Sequence, residues 1–123
     1  MVLADTSVWI DFFRKGNNHL KQLLLDAAIY MHPWIIGELA SGHLHARQEI
    51  LGFLVFLPQA KVVSQEELLF FIEKRKLYGM GMGLVDIQLL ASANLSGLKL
   101  WTRDINLQKV SSNLDLFYDS KLE

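Results

Sequence analysis

The sequence predicts an α/β domain with a mostly parallel central sheet covered by helices on both faces. Three observations carry this. Short apolar runs alternate with stretches of helical spacing. The runs lead into capping residues or a proline suited to a first helical turn. The chain has 123 residues, 51% of them hydrophobic and 20% charged, enough to fill a core of common domain size. Its only prolines are Pro33 and Pro58, and it has no Gly/Ser-rich linker or repeat, so residues 1–123 read as one domain.

Each element follows from local chemistry. Val2 to Ala4 reads as a short buried strand, and Thr6 or Ser7 can cap a helix over Val8 to Arg14, ended by Gly16-Asn17-Asn18. Leu20, Leu23, Leu24 and Ala27 fall at helical spacing, giving a helix from about His19 to Ala28. Ile29 to Met31 is a second strand, and Pro33 opens a helix to Ser41. Arg47 to Leu57 is a helix stopped by Pro58, and Lys61 to Val63 a short extended piece. Ser64 and Glu67 form a capping box for a helix reaching about Tyr78. After the flexible connection Gly79 to Gly83, a helix covers Leu84 to Ser96 and stops at Gly97. A strand over Leu98 to Trp101, a helix over Ile105 to Val110 and a last strand over Leu116 to Tyr118 complete the reading.

Composition excludes several classes of function. The net charge of −1 gives no global attraction to nucleic acid, so any such surface is a local patch. No cysteine is present, which rules out disulfides and thiolate metal sites. No basic-then-apolar leader precedes the first strand, and no apolar run approaches the ~20 residues of a membrane span, so a cytoplasmic protein is the expectation. No glycine-rich phosphate or dinucleotide loop follows the first strand.

The acidic residues are placed unusually. Asp5 follows the first strand and Asp104 follows the strand ending at Trp101. Sites in open parallel sheets form outside the carboxyl ends of strands, so the two share an edge if their strands are neighbours. Glu38 and Asp86 lie in otherwise apolar helical segments. Each has a plain alternative: Asp5, Asp86 and Asp104 as helix caps, Glu38 as a solvated helix residue. Taken together, four converging carboxylates repel one another and raise some pKa values, and a divalent cation relieves this. Oxygen-only ligation without cysteine favours Mg²⁺ or Mn²⁺ over Zn²⁺.

The stretches Leu3-Ala4-Asp5-Thr6-Ser7-Val8-Trp9-Ile10-Asp11, Gly37-Glu38-Leu39, Asp86-Ile87-Gln88-Leu89-Leu90-Ala91 and Trp101-Thr102-Arg103-Asp104 together resemble the PIN-domain family, and most of all its small VapC-type toxins of type II toxin–antitoxin systems. The resemblance spans nearly the whole chain. It implies a Rossmann-like three-layer α/β/α fold and a metal-dependent endoribonuclease with an acidic quartet at Asp5, Glu38, Asp86 and Asp104. It places Thr6, Ser7 and Thr102 in supporting positions. Many relatives carry an acidic residue where this chain has Asn106, which keeps an oxygen ligand but loses a charge and leaves a second metal position open. The resemblance also implies an RNA substrate, structured tRNA or rRNA, a VapB-type antitoxin and a homodimer.

Positive charge for RNA is available at Arg14, Lys15, Arg47, Arg103 and Lys109, with Arg103 the foremost phosphate contact. The run Lys74-Arg75-Lys76 reads better as a solvated helix face. His43 and His45 read as surface or substrate-rim residues, and Trp9, Trp34 and Trp101 as core rather than base-stacking residues. The apolar stretches Ile50 to Leu57 and Leu68 to Ile72 exceed what one helix face needs, which suits a dimer or antitoxin interface or burial on two sides. Two other readings compete. One is a non-catalytic PIN-like module that holds RNA or a partner. The other is a phosphoryl-transfer domain with Asp5 as nucleophile, disfavoured because no second Asp stands two residues after Asp5 and no strand-end Lys is clear.

Overall fold

Val2–Ala4 is buried along its whole length and forms β1, the centre of the sheet in a computed structural model that describes residues 1–122. β1 pairs in parallel with β2 (Ile29–Tyr30) on one side and with β3 (Lys99–Trp101) on the other. The register sets Val2 opposite Ile29 and Ala4 opposite Trp101, so β1 and β3 end side by side. Single parallel bridges extend each edge, Met31 with Gln59 and Leu100 with Phe117.

Among the described residues seven α-helices surround this sheet: α1 (Thr6–Lys15), α2 (Asn18–Leu25), α3 (Pro33–Ser41), α4 (Arg47–Val55), α5 (Gln65–Arg75), α6 (Leu84–Ser96) and α7 (Ile105–Asn113). A 3₁₀ turn over Ser120–Leu122 ends the described chain. α1 packs on α3 and α3 on α4; α5 packs on α6, and α6 on β3. The result is the expected three-layer α/β/α arrangement. Leu3, Trp9, Leu20, Ile35, Leu90 and Leu100 are all fully buried and join the layers into one core. No helix among the described residues is long and apolar enough to cross a membrane.

Several expectations are corrected. Asp5, not Thr6 or Ser7, caps α1, because the strand stops at Ala4 and Thr6 is already helical. Asp86 is not a cap: Gly83 holds that position and Asp86 lies in the first turn of α6. α2 stops at Leu25, since Ala27 turns the chain at a φ of +53° into β2. α4 stops at Val55, where the Phe56 and Leu57 N–H groups close tight turns onto Phe53 and Leu54 ahead of Pro58. α5 stops at Arg75, with Lys76 at a φ of +55°. Residues 61–63, expected only as a short extended piece, lie outside the sheet, with both backbone groups of Val63 taken by the Gln88 side chain. Of the expected strand Leu116 to Tyr118, only Phe117 bridges. Other features match: Pro33 opens α3, the Ser64–Glu67 capping box is complete, and Gly97 ends α6 at a φ of +68°.

Candidate active site

The pairing of Ala4 with Trp101 continues one residue further, where the Asp5 N–H donates to the Trp101 carbonyl at 2.9 Å. The chain therefore delivers Asp5 and Thr102 side by side at the carboxyl edge of the sheet. Asp5 is 5% exposed. Its Oδ1 accepts the Ser7 hydroxyl at 2.5 Å and the Val8 N–H at 3.3 Å, and its Oδ2 accepts the Thr102 hydroxyl. Burial pushes the Asp5 carboxyl up, and the Ser7, Thr102 and Val8 donors pull against it. Capping and site placement are thus one geometry at Asp5.

Asp104 repeats the arrangement one strand over. It caps α7 by accepting the Leu107 N–H at 3.0 Å, while its own N–H donates to Thr102 Oγ1 at 3.0 Å. The Thr102 hydroxyl thus joins the two acidic residues, and Gln108 Nε2 holds the Thr102 carbonyl at 2.9 Å. Glu38 comes from α3, is exposed, and accepts the Thr6 hydroxyl at 2.5 Å. Its solvated position corrects the expectation of an embedded carboxylate. Asp86 is half-buried, and burial together with the charges of Asp5, Asp104 and Glu38 pushes its carboxyl up to about 6. Four elements far apart in sequence thus bring all four expected carboxylates into one electrostatic field. As their side chains stand, no three His, Asp or Glu among the described residues are arranged to hold one ion.

The basic residues separate into distinct places. Arg14, Lys15 and Arg103 line a hollow with Ser7 and Asp11. Arg103 is not a free cation, since its Nη1 lies 2.6 Å from Asp11 Oδ1. Arg47 reaches back to the Gly42 carbonyl at 3.4 Å, and Lys109 lines a shallow depression on α7 with Phe117; neither lines the hollow beside Ser7. Lys74 and Arg75 lie 5.7 Å from the Phe70 and Phe71 rings. His43 lines a small cavity with Glu38, while His45 is exposed and lines none of these spaces. Trp9 and Trp101 are core residues and Trp34 is half-buried. Asn106 donates to the Met80 carbonyl at 3.4 Å, tying α7 to the glycine-rich connection.

Two residues near this edge received no role from the sequence. Asp11 is one, and its partner Arg103 is remote in sequence. His32 is the other. It is fully buried, accepts the Trp34 N–H through Nδ1 at 2.9 Å, and meets Ser92 Oγ through Nε2 at 2.9 Å. It thereby fastens the start of α3, the helix bearing Glu38, to α6, the helix bearing Asp86. Burial holds its imidazole below the ordinary value, in the neutral form this pairing needs. Its place just before Pro33 marks it as a helix cap and was the available signal.

The PIN domain family matches residues 2–113. Ribonuclease VapC32 of Mycobacterium tuberculosis, in strains CDC 1551 / Oshkosh and ATCC 25618 / H37Rv, is 43% identical over 109 residues, covering 88% of this chain and 88% of the relative. The crystal structure of PAE2754 from Pyrobaculum aerophilum superposes with a TM-score of 0.69 over 98% of this chain and 90% of that one; at 16% identity it speaks to the fold alone. With a parallel sheet whose adjacent strand ends present Asp5 and Asp104, a family match over most of its length and a close relative of VapC type, this chain belongs to the PIN-domain family and to the VapC type within it.

Proposed function

We propose that the chain is a Mg²⁺-dependent endoribonuclease acting as the toxin of a type II toxin–antitoxin pair, cutting structured tRNA or rRNA and so inhibiting translation. The named ribonuclease relative supports RNA as substrate. The observation behind the metal is the gathering of acidic groups at one sheet edge, where Thr102 joins Asp5 to Asp104 and the charges of Asp5, Asp104 and Glu38 reach Asp86. Such repulsion is what a divalent cation relieves, and an oxygen-only donor set suits Mg²⁺ or Mn²⁺. Asp5, Asp86, Asp104 and Glu38 are the residues that would hold it. When bound, the cation supplies Lewis-acid neutralisation of the phosphodiester charge and activation of water.

The chain's own residues do the rest. Ser7 and Thr102 lock the Asp5 carboxylate in one orientation, and Thr102 ties Asp104 to it. Glu38, exposed and accepting the Thr6 hydroxyl, would complete the cation's shell or orient the attacking water. Asn106 keeps an amide oxygen at the start of α7 without adding charge. Arg14, Lys15 and Arg103, which line the hollow beside Ser7, would give the RNA backbone a positive wall, with Arg47 and Lys109 as further candidate contacts. Exposed Phe53, Val55 and Phe56 on and after α4, and Leu69 and Phe70 on α5, suit a homodimer or a VapB-type antitoxin; Phe56 is 88% exposed.

The test is cleavage of total tRNA and rRNA by the purified protein with Mg²⁺. Cleavage that stops in excess EDTA and in Asp86→Asn supports the reading. Undiminished cleavage in EDTA removes the metal from it, and RNA binding without cleavage under any divalent ion leaves a binding module.

A further inference from the structure

Beside the acidic edge lies an environment of opposite sign. A hollow of about 420 Å³ is lined by Ser7, Ile10, Asp11, Arg14, Lys15 and Arg103. Arg14 and Lys15 close α1, and Arg103 stands between β3 and α7. Asp11 is the only carboxylate in this lining, and its side chain is 14% exposed, against 53% for Arg103 and 68% for Lys15. One oxygen, Oδ1, meets Arg103 Nη1 at 2.6 Å and Lys15 Nζ at 3.4 Å. The Arg103 N–H donates to Ser7 Oγ at 3.1 Å, and that hydroxyl donates to Asp5. Arg103 is therefore pinned at both its backbone and its guanidinium, one hydroxyl group from the Asp5 carboxylate.

We infer that this hollow is a subsite for a non-scissile phosphate of the RNA chain, and that Asp11 is the residue that positions Arg103 in it. The inference rests on the ribonuclease reading of the adjacent edge. Three cations against one carboxylate leave a positive hollow in a chain whose net charge is −1. The neighbouring carboxylates repel an RNA backbone, and a positive wall beside them offsets that repulsion and sets the register of the strand. A guanidinium carries five N–H donors, so the Asp11 contact leaves others for a phosphate. Holding it in place before binding removes side-chain entropy that the complex otherwise loses. As a fold-stabilising contact the cluster is poorly explained, since pairs this exposed on the cationic side contribute little.

Binding of a short single-stranded RNA in EDTA tests this without reference to cleavage. Asp11→Asn is expected to weaken binding about three- to tenfold, Arg103→Ala by a similar factor, and the double variant no further than the larger single change. In the wild type, replacing phosphates one at a time with neutral methylphosphonates is expected to reveal one sensitive linkage beside the cleaved one. That linkage goes silent in Arg103→Ala, and Asp11→Asn raises KM with kcat little changed. A merely structural Asp11 does not single out one phosphate. Tighter or unchanged binding by Asp11→Asn, additive losses, or a scan with no sensitive linkage overturns the inference; the wild-type scan keeps it open to failure even if Asp11→Asn does not fold. A sensitive linkage in a protein that never cuts RNA sinks the ribonuclease reading instead, and cutting without a sensitive linkage sinks the subsite alone.

Discussion

Asp5 and Asp86 are both desolvated carboxylates at the same edge of the sheet, yet only Asp5 is surrounded by donors. Asp5 closes β1, where Ser7 and Val8 follow within the turn and Thr102 arrives beside it from β3. Asp86 rides the first turn of α6 and has no hydrogen-bond donor on it among the described residues. Burial raises both, but at Asp5 the hydroxyls and the capping N–H counter it, while at Asp86 three neighbouring charges add to it. A strand-to-helix junction supplies its own donors, because the turn exposes unpaired N–H groups. A carboxylate on a helix face depends on what the fold brings opposite, and here the fold brings like charge. Asp5 is thus a fixed anchor, and Asp86 is the group most responsive to a cation or a proton.

The largest expected effect is on chemistry. Asp5→Asn and Asp86→Asn should each reduce RNA cleavage by about a hundredfold or more, since each removes charge from the proposed cation site. A rate near wild type in either detaches that residue from catalysis. Next is Thr102→Val, which removes the donor to Asp5 and the acceptor of the Asp104 N–H together. It should cost about 1–3 kcal/mol in urea unfolding, the range for leaving buried polar groups unpaired. No loss here means the donors are not what distinguishes Asp5.

The third effect concerns pH and has the opposite sign. Burial and the neighbouring charges push the Asp86 carboxyl from its ordinary value of 3.8, kept in the unfolded chain, up to about 6 in the fold. Between these values the folded state keeps a proton that the unfolded state has lost, so Asp86 lowers stability as pH rises through this window. In EDTA at neutral pH, Asp86→Asn should be more stable than wild type by about 1–2 kcal/mol, allowing for solvent screening at a half-buried site. The gain should vanish below the unfolded value, and Mg²⁺ should raise the melting temperature of the wild type more than that of the variant. Urea titrations at both pH values measure it, and equal stability throughout removes the repulsion from Asp86. The smallest effect is Thr6→Val. The Thr6–Glu38 contact is exposed, so its loss should shift stability by less than about 1 kcal/mol while slowing cleavage through a freer Glu38.

Much of this molecule was legible in its sequence, and the legible parts are local. α3 runs from Pro33 to Ser41 and α6 from Leu84 to Ser96 as their start and stop residues predict, because Pro at a first turn and Gly97 in a left-handed cap act within a residue or two. The four acidic residues stood out as candidates because carboxylates at strand ends and in apolar helical segments are costly if buried alone; the fold desolvates Asp5 and Asp86 but leaves Glu38 exposed. The ends of α2 and α5 were not legible, since Ala27 and Lys76 adopt left-handed conformations that neither residue type announces.

The sequence by itself determined the order of elements and the family, and it singled out four acidic residues as candidates. The tertiary structure alone decided that β1 and β3 end side by side, so that one threonine hydroxyl joins Asp5 to Asp104. It also decided that Arg103 is engaged by Asp11 and that His32 links the helices bearing Glu38 and Asp86. The physical reason is distance along the chain. Caps, turns and hydrophobic periods are written in neighbouring residues, whereas which charge faces which hydroxyl depends on register and packing that the whole core sets together.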